Sequence, residues 1–161
     1  MTEAEAFHER EKAIRARVAS QGFMRLVDAE LGELRPGHCT ISVAKRPELL
    51  QHWAMFHGGV TAFLVDNGTT IAASTVMRPG QTTLTAEYKV NFLLPAVGER
   101  LICRARVVKP GRMLTVVAAD VFSVVDGVEK QTAIAVATIA VVDAATVAPA
   151  TTRPPASARQ S

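Results

Sequence analysis

Cysteine, tryptophan and tyrosine are scarce: the 161 residues hold two, one and one of them. Cys39 and Cys103 lack both the paired spacing of a metal site and the even framework of a disulfide-stapled domain. Reduced thiols, a cytoplasmic setting and no bound metal are therefore expected. Long apolar runs are missing as well. The best candidate, Trp53 to Met77, is interrupted by His57, three glycines and Asp66 and falls short as a bilayer span. Met1 to Arg17 carries charge throughout, unlike a secretory leader. No dense block of one charge sign occurs either: 18 Lys and Arg face 15 Asp and Glu, scattered, for a net charge of +3. Neither nucleic acid nor a membrane is an expected partner, whereas a few local cations would serve an anionic small ligand.

What remains is the composition of a globular protein, 48% hydrophobic and 20% charged, long enough for one domain around one core. Positions 1–21 read as an N-terminal helix, with Thr2 as a cap, Gly22 as a stop and a narrow apolar stripe of Phe7, Ile14 and Val18. Its charges read as a solvated face. The domain proper spans 22–143. MRLVDAELGELRPGHCTISVAKRP alternates around Pro36-Gly37, which predicts two strands joined by a turn. Four runs rich in Val, Thr, Ile and Ala follow the apolar centre, separated by breaks at Pro95 to Gly98, Pro110-Gly111 and Asp126-Gly127. They predict an antiparallel meander. From Ala144 to Ser161 the composition turns to Ala, Thr, Pro and Ser, which predicts a disordered tail.

The expected class is thus α+β. A central helix of ~18 residues that is apolar on most of its circumference needs a partner, and a curved antiparallel sheet of about six strands is the partner this chain offers. A sheet with a free edge would pair with its twin and form a homodimer.

Two features of that helix point beyond packing. Asp66 is the only carboxylate between Glu48 and Glu87. Burying it is costly without compensation, so it has either a chemical purpose or a bland one, capping a second helical piece near Asn67-Gly68 or facing solvent. His57-Gly58-Gly59 stands at the helix entry. Glycines there leave backbone N–H groups bare at the positive end of the helix dipole, where a polarised carbonyl is stabilised; alternatively they merely permit a tight entry. Nine residues separate His57 from Asp66, which puts them on opposite faces and ~13 Å apart along one helix. Two central helices packed antiparallel about a two-fold axis would bring His57 of one chain towards Asp66 of the other.

HGGVTAFLVDN, LTAEYKVNFLLPAVGE and VVKPGRMLTVVAADVF together resemble the hotdog-fold acyl-CoA thioesterases of the PaaI-like, thioesterase superfamily member 2 type, over Phe23 to Val142. The resemblance implies a hotdog fold, hydrolysis of an acyl-CoA to free acid and CoA, no cofactor, and a homodimer with shared sites assembled as a dimer of dimers. It implies Asp66 as general base or nucleophile, the Gly58 N–H as the donor that polarises the carbonyl, and His57 as a positioning group. Thr85 falls where a serine commonly holds the attacking water. Gln51 replaces an Asn six residues before the His, and Met55 or Ala54 replaces a glycine. The implied substrate contacts are Gly59, Asn67, Phe92, Leu93, Leu94, Pro95, Lys109, Gly111, Arg112 and Met113, with Lys109 and Arg112 on phosphates. Phe56, Phe63, Phe92 and Met77 are candidates for an acyl pocket or for plain core. No segment resembles the Asp and His pair of a hotdog-fold hydratase. The alternative is a non-catalytic acyl-CoA sensor with the same pocket, in which Gln51 marks lost activity.

Overall fold

The computed structural model describes residues 2–147. Helix α1 (Glu3–Ser20) opens on a capping box: the Glu5 N–H donates to Thr2 Oγ1 at 3.2 Å, and the Thr2 N–H donates to the Glu5 carboxylate at 2.7 Å. Ile14 and Val18, one turn apart, are buried, and Phe7 packs against them half-buried. Its polar face is not wholly solvated, because Arg10 and Arg15 reach across to backbone carbonyls of Thr75, Leu31 and Gly32. Gly22 is not the stop. Gln21 leaves the helix in an extended conformation, and Gly22 opens a second short helix, α2 (Gly22–Leu26). Met24 to Leu26 therefore lie in α2 rather than in the first strand, which starts only at Ala29.

Strands β1 (Ala29–Arg35) and β2 (His38–Ala44) form the expected hairpin, and Gly37 turns it with φ of 75°. The Gly37 N–H then donates to Thr75 Oγ1 at 2.7 Å, docking the turn on the far end of the central helix. That helix, α3 (Gly58–Ser74), is continuous, so Asp66 caps no second piece. It packs against β2 and against β3 (Gln81–Phe92), β4 (Arg100–Lys109), β5 (Leu114–Val125) and β6 (Val128–Asp143). Leu64 and Val65 are sealed from solvent against Ile41, Leu101, Val117 and Ile139 of the sheet. Burying each such side chain contributes roughly 1.5–3 kcal/mol. At Gly68 the helix comes so near the sheet that a Cβ would stand 3.1 Å from Cys103 Sγ and 3.3 Å from Ile41 Cγ2. Both cysteines are free and buried beside it; burial pushes the Cys39 thiol up to about 12 and that of Cys103 higher, so neither is a nucleophile.

The six strands make one antiparallel sheet wrapped around α3, as a hotdog fold requires, but not as one meander. The order is β1-β2-β4-β5-β6-β3. Only β4, β5 and β6 run in sequence; β2 pairs with β4, and β3 lies on the far edge beside β6. The cause is α3, which crosses the sheet between β2 and β3 and delivers the chain to the opposite edge. Beyond β6, Ala144–Val147 form one helical turn rather than irregular chain, and the rest of the expected tail lies outside the described residues.

Candidate active site

Three local devices set the entry to α3. His57 is the N-cap, in extended conformation, and its Nδ1 accepts the Gly59 N–H at 2.9 Å. A Cβ on Gly59 would fall 2.9 Å from that nitrogen, so glycine is what allows the histidine to cap. The His57 carbonyl takes the Val60 N–H at 2.9 Å. With Gly59 and Val60 committed, the Gly58 N–H is left without a partner among the described residues. A bare amide at a helix N-terminus offers a hydrogen bond and the positive end of the dipole to an electron-rich oxygen.

That amide opens into a cleft of about 320 Å³ lined by Gln51, Met55, Thr61 and the Phe92–Pro95 segment. Gln51 presents a side-chain amide without a partner among the described residues. Phe92, Leu93 and Leu94 form an exposed apolar wall, pinned because the Leu93 and Leu94 N–H groups share the Thr132 carbonyl at 2.8 and 3.3 Å. Phe92 sits directly over Gly58, its ring 3.6 Å from where a Cβ would be. Phe56 is buried at the cleft floor, Phe63 instead stacks tilted on Phe23 at 5.1 Å, and Met77 lies at the other end of α3.

Two turns along α3, Asp66 is half-buried rather than sealed. Its Oδ1 accepts the Thr85 hydroxyl at 2.6 Å, and Thr85 Oγ1 stands 2.9 Å from Thr70 Oγ1. The strand β3 thus supplies Thr85 to the carboxylate, a contact beyond the water-holding role that the resemblance implies for it. Thr70 went unnoticed in the sequence, although its signal is there: it is the residue four after Asp66, on the same helix face. Asn67 turns its side-chain N–H back to the Phe63 carbonyl at 3.1 Å.

The remaining candidates are elsewhere. Gly111 and Arg112 line a separate cleft of about 270 Å³ with Arg78 and Gln81, at the far end of α3, while exposed Lys109 and Met113 lie outside that lining. A Cβ on Gly111 would fall 2.1 Å from the Leu114 carbonyl oxygen, so the turn between β4 and β5 by itself demands glycine there. One chain therefore holds an unpartnered amide, a carboxylate and a cationic cleft in three places along one helix.

Residues 54–130 match the Thioesterase superfamily. A thioesterase family protein from Silicibacter pomeroyi is 35% identical, with 83% of this chain and 98% of that one aligned at a TM-score of 0.81. The chain belongs to the thioesterase superfamily. Among more distant folds of this kind are the E. coli PaaI protein from the phenylacetic acid degradation operon, at 16% identity, TM-score 0.74 and coverage of 84% and 94%. A Bacillus halodurans protein solved with CoA aligns at 22% identity, TM-score 0.69 and coverage of 86% and 87%. No curated protein matches the sequence.

As a thioesterase, the protein is a thioester hydrolase, and its site must polarise a carbonyl and direct water at it. Among the described residues no cluster of His, Cys, Asp and Glu could hold a metal, and no helix is long and apolar enough to cross a membrane. Of Ala54 and Met55, the backbone singles out Ala54 as the position where this thioesterase stands apart from glycine, since its φ is 56°. It sits in the tight loop that carries Gln51, closed by the Gln51 N–H on the Met55 carbonyl at 2.9 Å and the Ala54 N–H on the Gln51 carbonyl at 3.0 Å. A side chain in that region costs roughly 1–2 kcal/mol, and glycine gives back part of the difference as unfolded-state entropy. Ala54→Gly is expected to stabilise the protein by ~0.5–1 kcal/mol, read as a rise in Tm of a few degrees in calorimetry.

Proposed function

We propose that the protein is an acyl-CoA thioesterase whose active site is completed across a homodimer. The observation that carries this reading is the unpartnered Gly58 N–H at the mouth of the cleft walled by Gln51 and Phe92–Pro95. A thioester oxygen accepting that N–H gains most when it becomes an oxyanion, because the donor is fixed in place before reaction. Asp66, held by Thr85, lies eight residues on and ~12 Å along α3 from that amide, too far for one carbonyl to meet both within one chain. The edge strand β3 offers the remedy. Its outer side pairs with no strand among the described residues, and the strand exposes Leu84, Tyr88 and Phe92. Joining it to the β3 of a second copy extends the sheet and brings the two α3 helices side by side.

In that assembly Asp66 takes a proton from water while the water oxygen bonds to the carbonyl carbon polarised at Gly58. The tetrahedral oxyanion then re-forms the carbonyl, the carbon–sulfur bond breaks, and the CoA thiolate takes up the proton. Thr85 donates its hydroxyl hydrogen to Asp66 and so accepts that of Thr70, which leaves its oxygen one lone pair with which to accept from the water. His57 acts through Gly58, since its cap on Gly59 holds the first turn in place. Direct attack by Asp66 on the thioester is the other route open to the same carboxylate. CoA as the carrier is supported by the CoA-bound relative in fold and by the cationic cleft around Arg112. Two free buried thiols favour the cytoplasm, and the apolar outer sheet face with Val108, Leu114 and Val136 exposed favours pairing of dimers.

A panel of aliphatic and aryl acyl-CoAs with a thiol-reactive dye tests the reading. Release of CoA thiol from at least one member is the expected result. Silence across the panel with CoA binding retained would make the protein a sensor instead.

A further inference from the structure

The cleft at Arg112 does not end there. It shares Met77, Arg78 and Gln81 with a second cleft of about 330 Å³ that runs on between α1 and the end of α3. Ala13, Ile14, Met77 and Pro79 give this second cleft an apolar floor, and Arg10, Arg17 and Arg78 stand around it. Arg10 is tied to the Thr75 carbonyl at 2.8 Å and staples α1 in place. The guanidinium groups of Arg17, Arg78 and Arg112 have no hydrogen-bond or ion-pair partner among the described residues. Glu9 is the one carboxylate in either lining. Two unpaired cations, Arg17 and Arg78, flank the apolar floor and a third, Arg112, lines the adjoining cleft; an anion with a flat apolar part relieves their repulsion while covering the floor.

We propose that this groove, with Arg17 of α1 and Arg78 as its own cations, holds the phosphoadenosine end of acyl-CoA. The proposal rests on the acyl-CoA reading above and adds α1 to the substrate site. The purine lies on the apolar floor, and its phosphates meet Arg78 and Arg112 on one side and Arg17 on the other. The topology supplies the connection to the chemistry. Antiparallel pairing of β3 with a second β3 sets the Gln81 end of one chain beside the Phe92 end of the other. The groove of one chain, which includes Gln81, thus continues into the Gly58 cleft of its neighbour.

The test compares an acyl-CoA with the matching acyl-pantetheine, which lacks the nucleotide, in Arg78→Ala and in the Arg17→Ala, Arg78→Ala double variant. The expected result is a KM for acyl-CoA raised about tenfold by the single change and further by the double, the loss of charge-assisted contacts, with kcat and both constants for acyl-pantetheine unchanged. An unchanged KM for acyl-CoA, or an equal rise for both substrates, overturns the proposal. Calorimetry with adenosine bisphosphate separates the sources of the nucleotide. Binding lost in the double variant while acyl-CoA kinetics stay at wild-type values would give the groove to a free nucleotide and overturn its place in the substrate site. If wild-type protein hydrolyses neither thioester, the thioesterase reading fails by itself. The groove then stands on adenosine bisphosphate binding that the double variant loses, and falls without it.

Discussion

Gly58→Pro is expected to lower kcat by ~100–1000-fold while the protein stays folded, because it deletes one N–H and little else. Proline suits the first position of a helix, where its fixed φ is already helical and the missing N–H would have no helical partner. His57 before it is already extended, at φ −64° and ψ 139°, as the residue before a proline prefers. The Cβ of the ring meets only Phe92, at an ordinary contact distance of 3.6 Å. Single-turnover hydrolysis of the best acyl-CoA gives the chemical step, and a Tm within a few degrees of wild type shows that α3 is intact. A kcat within threefold of wild type would remove the Gly58 amide from the reaction.

Asp66→Asn is the companion experiment, with an expected loss of at least ~100-fold in kcat and nearly unchanged CoA affinity. The amide keeps the shape and can still accept from Thr85, whose hydroxyl lies 2.6 Å from Oδ1, but it cannot take a proton from water. The two variants together locate the site. If each site takes Gly58 from one chain and Asp66 from the other, a mixed dimer has one site with both lesions and one with neither. Equal amounts refolded together then form mixed dimers in half of cases, leaving about a quarter of all sites intact. Activity near that fraction supports a site shared across two chains. Mixed dimers seen by native mass spectrometry without recovered activity would mean that both residues act within one chain.

Local chemistry was readable in advance because it acts within a few residues. Thr2 caps the first helix, Pro36-Gly37 and Asp126-Gly127 turn hairpins, and the run after Gly58 is apolar enough to be a buried helix. Thr85 and Asp66 were each singled out by family resemblance rather than periodicity, but their hydrogen bond is seen only in the fold. Gly22 misled, because a glycine after a helix reads as a stop whether the chain then turns or begins another helix; here Gln21 breaks the helix and Gly22 begins the next. Thr70 was missed although it stands four residues after Asp66 on the same helix face, because only the docking of β3 brings Thr85 to both.

By itself, then, the sequence determined the elements, their order and the residue types able to polarise a carbonyl and move a proton, since dihedral preference, capping and amphipathic period are set by near neighbours. The tertiary structure alone decided where those residues stand. Strands of similar Val, Thr and Ala content carry no label for their partners, and closing the sheet around α3 is what sends β3 to the edge beside β6. That closure also sets Thr85 of β3 against Asp66, and it lays α1 against the end of α3 so that Arg17 joins Arg78 around one groove. The physical reason is that strand pairing and helix docking minimise exposed apolar surface over the whole chain, a sum that no local window contains.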